Sequence, residues 1–228
     1  MLLKKFHYIN RNIAIYKLNK MKGKLLSEIE EIISNLDKTG ITDERKGKLS
    51  PLIDFIQEKI DAKRSVRLNF ICTHNSRRSH ISQIWAQTLA KFYGVQNFTA
   101  YSGGTESTEI NPQVVKTFAK QGFQFLHLSK GDNPCYAIKY AYNEHPIIAF
   151  SKTYESAFNP MNGFAAIMTC SEADGGCPFI SGAEKRIPLT YLDPKEYDGT
   201  PLQESKYMEK SSQIARELNY VFSQIKTK

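Results

Sequence analysis

Cys72, Arg78 and Ser79 are the residues whose types and spacing best suit chemistry, with five residues between the cysteine and the arginine. A cysteine attacks as the thiolate, a form favoured beside N–H donors, hydroxyls and cations. An arginine fork grips a tetrahedral oxyanion through two parallel hydrogen bonds. Cys72 is therefore the candidate nucleophile, Arg78 the anion clamp and Ser79 a hydroxyl able to donate to the sulfur. The backbone N–H groups of Thr73, His74, Asn75, Ser76 and Arg77 are expected to line the space between them as an anion nest. The plainer alternative is a cysteine packed as a small hydrophobe near a solvated arginine. The pair alone recurs by chance, so the setting decides between the two.

Two further groups belong to the same chemistry. Cys170 and Cys177 flank six residues that include Gly175 and Gly176, a segment free to rearrange. A helix would set the two cysteines about 10 Å apart along its axis, beyond the roughly 4.4–6.8 Å between Cα atoms that a disulfide allows. A bond between them requires local unwinding, which makes the segment a candidate redox switch; two packed free thiols are the alternative. Zinc is not expected, since no CxxC is present and His74, His80, His127 and His145 are scattered. Cys135 has no partner in view. Asp193-Pro194 closes a strand, because proline cannot continue a ladder, and leaves a carboxyl at the sheet rim. There it can protonate a leaving oxygen and later activate water.

The elements that must position these residues follow from hydrophobic spacing. Val66, Leu68, Phe70 and Ile71 read as a buried strand, while Ile81, Ile84, Trp85 and Leu89 recur at the period of an amphipathic helix. A second strand over residues 98–101 runs into Ser102-Gly103-Gly104-Thr105, a close approach of backbone in which Ser102 gives structural support. Asn111-Pro112 caps a helix with Val114, Val115 and Phe118 inside, and Gly94 and Gly122 are stops. Residues 163–169 form a third strand leading into Cys170, residues 187–191 a fourth, and Tyr207, Ile214, Leu218, Val221, Phe222 and Ile225 mark a long final helix.

Repeated strand–helix units predict an α/β fold: a four-stranded parallel sheet with helices on both faces. Its strand C-termini gather at one edge, which brings Cys170 and Asp193 towards Cys72. Residues 130–160 read as an insertion with one extra strand near residues 146–150. Upstream, Ser27 and Glu30 form a capping box for a helix carrying Ile29, Ile32, Ile33 and Leu36. Ser50-Pro51 starts a second, with Leu52, Phe55, Ile56 and Ile60 inside. Residues 25–64 thus read as a helical extension to a domain spanning 65–228.

At 228 residues the chain holds one substantial domain plus an appendage. Its net charge of +8 suggests nucleic acid until it is located. Residues 1–24 carry seven Lys or Arg and no acid, which leaves 24 basic against 23 acidic residues elsewhere. The charge belongs to a basic arm, so neither a nucleic-acid face nor a membrane surface is expected. The arm reads as disordered or non-native: it is acid-free like an organelle presequence yet has no Ser before Ser27, and Met21 is an equally good start. No apolar run approaches the roughly 18 residues of a membrane span. Four cysteines without a dense framework fit a reducing compartment, and cytoplasmic placement is expected.

With these residues placed, the sequence resembles the low-molecular-weight protein tyrosine phosphatase superfamily, and more closely its thioredoxin-coupled arsenate reductase branch. The likeness spans about residues 67–226. Cys72, Arg78 and Ser79 match the signature, Asn75 the loop asparagine, Ser102 the residue after the second strand, and Asp193-Pro194 the late general acid. Cys170 and Cys177 match the reductase cysteines, which a simple phosphatase does not need. The resemblance implies attack of Cys72 on arsenate, then a Cys72/Cys170/Cys177 thiol–disulfide relay that yields arsenite and passes the oxidation to thioredoxin. Its alternative is hydrolysis of a phosphate monoester with Asp193 as general acid; a non-catalytic anion-binding module is a third reading.

Departures from the family pattern carry expectations of their own. His74 stands where glycine is usual, so a strained loop residue is expected there. Arg77 replaces a common cysteine and is expected to add a cation near the anion. Gln83 occupies a position often acidic in the reductases, so their potassium site is not expected, and no cofactor is required.

Overall fold

The computed structural model describes residues 24–37, 39–176 and 179–227. The basic arm and Cys177 lie outside the described residues. Four parallel strands, β1 (Val66–Cys72), β2 (Phe98–Gly104), β6 (Phe164–Met168) and β7 (Ala183–Pro188), form a sheet in the order β2-β1-β6-β7. The chain reverses its direction of sheet growth between β1 and β6, so the loops leaving those two strands open a crevice at the C-terminal edge. β1 supplies the centre because both faces are apolar: Val66, Leu68 and Phe70 join the large core, and Ile71 joins a smaller one on the opposite face.

The large face is covered by helices. α1 (Ser27–Ser34), α2 (Asp43–Asp61), α3 (Arg78–Phe92), α4 (Pro112–Lys120) and α6 (Gln203–Ser223) contribute buried residues to one continuous cluster with the sheet. Trp85 of α3 lies at its centre, against Phe118 and Phe123. The opposite face is closed by the short helix α5 (Ser171–Gly176), with Ala173 and Ile180 packed beneath Met168 and Phe164. The parallel sheet with helices on both faces is thus the observed architecture. No helix among the described residues is long and apolar enough to cross a membrane.

Several local expectations are corrected. Ser27 is the first helical residue of α1 and makes no capping box, because the preceding chain is held extended: Leu26 N–H donates to Tyr140 O and Tyr142 N–H to Lys24 O. α2 begins at Asp43, not at Ser50; Thr42 Oγ1 caps it by accepting from Arg45 N–H, and Pro51 lies inside the helix. Burial of Leu49 and Leu52 on one side of it offsets the hydrogen bond that proline removes. The region read as an insertion with one strand is instead part of a three-stranded antiparallel sheet of β3 (Gln124–His127), β4 (Tyr136–Lys139) and β5 (Ile147–Ala149). Its strands are too short for a period to show. β7 ends at Pro188, earlier than residues 187–191 suggested, although Leu189 and Tyr191 still donate to Met168 O and Thr169 O.

Candidate active site

Residues 73–77 curl between β1 and α3, and the carbonyls of Cys72, Thr73, His74 and Ser76 bond to the segments behind the loop. Cys72 O accepts from Thr105 N–H, Thr73 O from Glu106 N–H, and Ser76 O from Asn111 N–H. His74 O accepts from the hydroxyls of Thr108 and Ser151. With these four carbonyls engaged behind it, the loop is a candidate nest in which N–H groups could face an anion at the start of a 15-residue helix. Gly103 and Gly104 permit the approach. A Cβ on Gly104 would lie 2.5 Å from Thr73 O and 2.7 Å from Asn75 N.

The sulfur is approached from one side by a built hydrogen-bond chain. Lys152 N–H donates to Asn75 Oδ1 at 2.9 Å, Asn75 Nδ2 donates to Ser79 Oγ at 2.9 Å, and Ser79 Oγ lies 3.1 Å from Cys72 Sγ. Ser79 accepts from Asn75, so its own proton is free to point at the sulfur. Ser102 Oγ contacts His80 Nδ1 at 3.2 Å, and Ser102 O accepts from Asn159. Burial, with the Lys152 cation adding to it, pushes the His80 pKa down to about 3, so this imidazole is neutral.

Arg78 is buried at 6% exposure and faces the protein, not solvent. Its Nη1 donates to Tyr191 O at 3.0 Å and its Nη2 to Asp193 Oδ2 at 2.6 Å, while Nε is buried without a partner. An unpaired buried N–H of a cation is costly, and an oxyanion in the loop is the kind of group that would pair it. Asp193 stands at the rim as the sequence implied, where it caps the 3-10 turn Pro194–Tyr197 through Lys195 N–H. Cys170 follows β6 and is fully buried. Its Sγ lies 3.5 Å from Thr73 Oγ1 and it shares an apolar cluster with Cys72. Burial pushes the Cys170 thiol pKa up, against the pull of Thr73, Ala173 N–H and Arg78. Cys177 lies outside the described residues.

Two expectations about the loop fail. The left-handed residue is Asn75, at φ 46°, and His74 is not left-handed. Asparagine tolerates that conformation, which removes the strain expected at His74. The Arg77 side chain does not face the anion nest. Its Nε donates to Tyr207 OH at 2.8 Å and its Nη2 to Asp198 Oδ2 at 2.9 Å, so its charge is taken up between the 3-10 turn and α6. Gln83 donates to Ala100 O at 3.1 Å and so caps the outer edge of β2. Tyr191 and Lys152 were not singled out from the sequence, and neither carries a motif that would reveal it.

A buried sulfur, an arginine and a rim carboxylate around a curled loop at the C-terminal edge of this sheet are the groups a cysteine-dependent oxyanion enzyme uses. The model of the family described as low molecular weight phosphotyrosine protein phosphatase matches residues 67–137. Over 126 residues the chain is 26% identical to "Arsenate reductase 2" of Staphylococcus haemolyticus (strain JCSC1435), covering 55% of this chain and 76% of that protein. Among solved structures it is similar to a low molecular weight phosphotyrosine phosphatase of Vibrio cholerae O395, at 12% identity and TM-score 0.46, over 70% of this chain and 96% of that one. The low molecular weight protein tyrosine phosphatase of T. tengcongensis gives 15% identity and TM-score 0.45, over 71% and 100%.

Proposed function

We propose that the protein reduces arsenate to arsenite in the cytoplasm through Cys72, Cys170 and Cys177. The observation that carries this reading is the position of Cys170, a buried thiol 3.5 Å from Thr73 of the anion loop and in one cluster with Cys72. Arsenate enters the nest and pairs with Arg78 Nε, and the Cys72 thiolate attacks arsenic with loss of water. Cys170 then attacks the Cys72 sulfur. The sulfur–arsenic electron pair stays on arsenic, which leaves as arsenite in the +3 state, and a Cys72–Cys170 disulfide forms. Cys177 attacks Cys170 in turn, releasing Cys72 as a thiol, and thioredoxin reduces the resulting Cys170–Cys177 bond.

A second reading rests on Asp193. Its carboxylate is held by Arg78 at 2.6 Å, and an oxyanion competing for that guanidinium would release it to act on a leaving oxygen. Hydrolysis of phosphate monoesters would then share the first step with arsenate reduction and need no second cysteine. The two readings separate in the variant Cys170→Ser, assayed without oxygen with thioredoxin as reductant. Arsenite production should vanish while hydrolysis of an aryl phosphate persists. Arsenite formation at the parental rate by Cys170→Ser would remove the reductase assignment.

A further inference from the structure

We propose that Arg45, on the N-terminal helix α2 and outside the family-matched residues, is a positioning residue that sets Arg78 through Tyr191. Arg45 directs Nε and Nη2 to Glu217 Oε2, at 2.9 and 2.7 Å, which fixes the plane of its guanidinium. That plane lies over the Tyr191 ring, with the guanidinium carbon 4.8 Å from the ring centroid. Stacking of this kind holds a ring by its face. The Tyr191 hydroxyl also interacts with the Glu217 carboxylate and the Arg45 guanidinium, so the same ion pair holds the ring at its tip.

Tyr191 is fastened at two more points along its backbone. Its N–H donates to Thr169 O at 3.1 Å, one residue before Cys170, and its carbonyl accepts from Arg78 Nη1 at 3.0 Å. The next residue, Leu192, is 78% exposed, so the chain has no packing of its own between Tyr191 and Asp193. A cavity of about 420 Å³ borders Tyr191, Arg45 and Glu217, and leaves the ring room to swing once the guanidinium is gone. The orientation of Arg78 towards the loop therefore depends on a residue that the sheet domain does not itself supply.

This inference rests on the reading of the Cys72 loop as an oxyanion site, and the test separates the two. Inorganic phosphate is titrated calorimetrically into Cys72→Ser and into Cys72→Ser carrying Arg45→Met or Arg45→Lys, with melting temperatures recorded alongside. A misplacement near 1 Å of a group that grips substrate costs up to about 100-fold; a partial swing of Arg78 should weaken phosphate about tenfold in Arg45→Met. Arg45→Lys keeps a cation over the ring and should recover most of the loss. Glu217→Gln, which frees Arg45 without removing it, should weaken phosphate in the same direction and serves if Arg45→Met does not fold. A lowered melting temperature with unchanged phosphate affinity in the Arg45 variants makes Arg45 a structural brace and overturns this inference alone. Absence of phosphate binding by Cys72→Ser itself overturns the oxyanion reading and this inference with it.

Discussion

Gly104→Ala tests the geometry of the anion loop without touching any group that does chemistry. A Cβ at this position would lie 2.3 Å from Glu106 O, 2.5 Å from Thr73 O and 2.7 Å from Asn75 N. All three are backbone atoms, so no side chain can turn aside to make room. Bringing each to a tolerable 3.0 Å moves the Thr73 carbonyl by about 0.5 Å and Glu106 by about 0.7 Å. Overpacking of this size costs roughly 1–3 kcal/mol of stability. The loss of function should be larger, because Thr73 and Asn75 belong to the nest and Asn75 orients the Ser79 hydroxyl on Cys72. A displacement of this size corresponds to a fall of about 10- to 100-fold in kcat/KM. Steady-state turnover of an aryl phosphate, measured well below the melting temperature of both proteins, reads it directly. Parental kcat/KM in folded Gly104→Ala would refute the claim that this glycine sets the loop.

Two predictions concern buried bases behind the loop. The His80 pKa falls from 6.5 to about 3 in the folded protein, chiefly through burial, so the unfolded chain binds the extra proton first. Stability contributed by the neutral ring is present above pH 6.5 and is lost as pH falls towards 3, by about 5 kcal/mol at 1.4 kcal/mol per pH unit. Melting temperatures between pH 7 and 4.5 should drop more steeply for the parent than for His80→Gln, and parallel curves would contradict the assignment. Lys152 is buried among Phe150 and Phe158, and burial lowers its pKa from 10.5 to about 8. Below pH 8 the folded state must hold an ammonium ion that water would solvate better, a penalty relieved as pH rises from 8 to 10.5. Lys152→Met should therefore be more stable than the parent at pH 7, by about 3 kcal/mol, with the gap closing towards pH 10; a less stable variant in urea unfolding at pH 7 would refute the penalty.

What could be read in advance was whatever a short stretch of sequence decides for itself. The strand, loop and helix around Cys72 were legible because Val66 to Ile71 and Ile81 to Leu89 bury whole faces with clear periods. Asn111 caps α4 by accepting from Gln113 N–H, and Gly94 and Gly122 take the left-handed stops at φ 71° and 86°. These are local events. The failures share the opposite character. Ser27 lost its capping role to a bridge between Leu25 and Ala141, more than a hundred residues away. Arg77 was drawn from the anion by Asp198 after the 3-10 turn and Tyr207 of α6, partners that only the packing of the C-terminal segment supplies. The left-handed turn fell on Asn75 because the Lys152 N–H is placed to take its side-chain oxygen. A loop's inward face can thus be inferred from its residue types, whereas the choice of which residue bends requires the segments behind it.

The most direct measurement is acid-quenched mass mapping of cysteine pairs after one anaerobic turnover with arsenate, using Cys177→Ser so that the relay stops at its second sulfur. The account predicts a Cys72–Cys170 disulfide formed in step with one equivalent of arsenite. Arsenite released while Cys72 and Cys170 both remain thiols would contradict it.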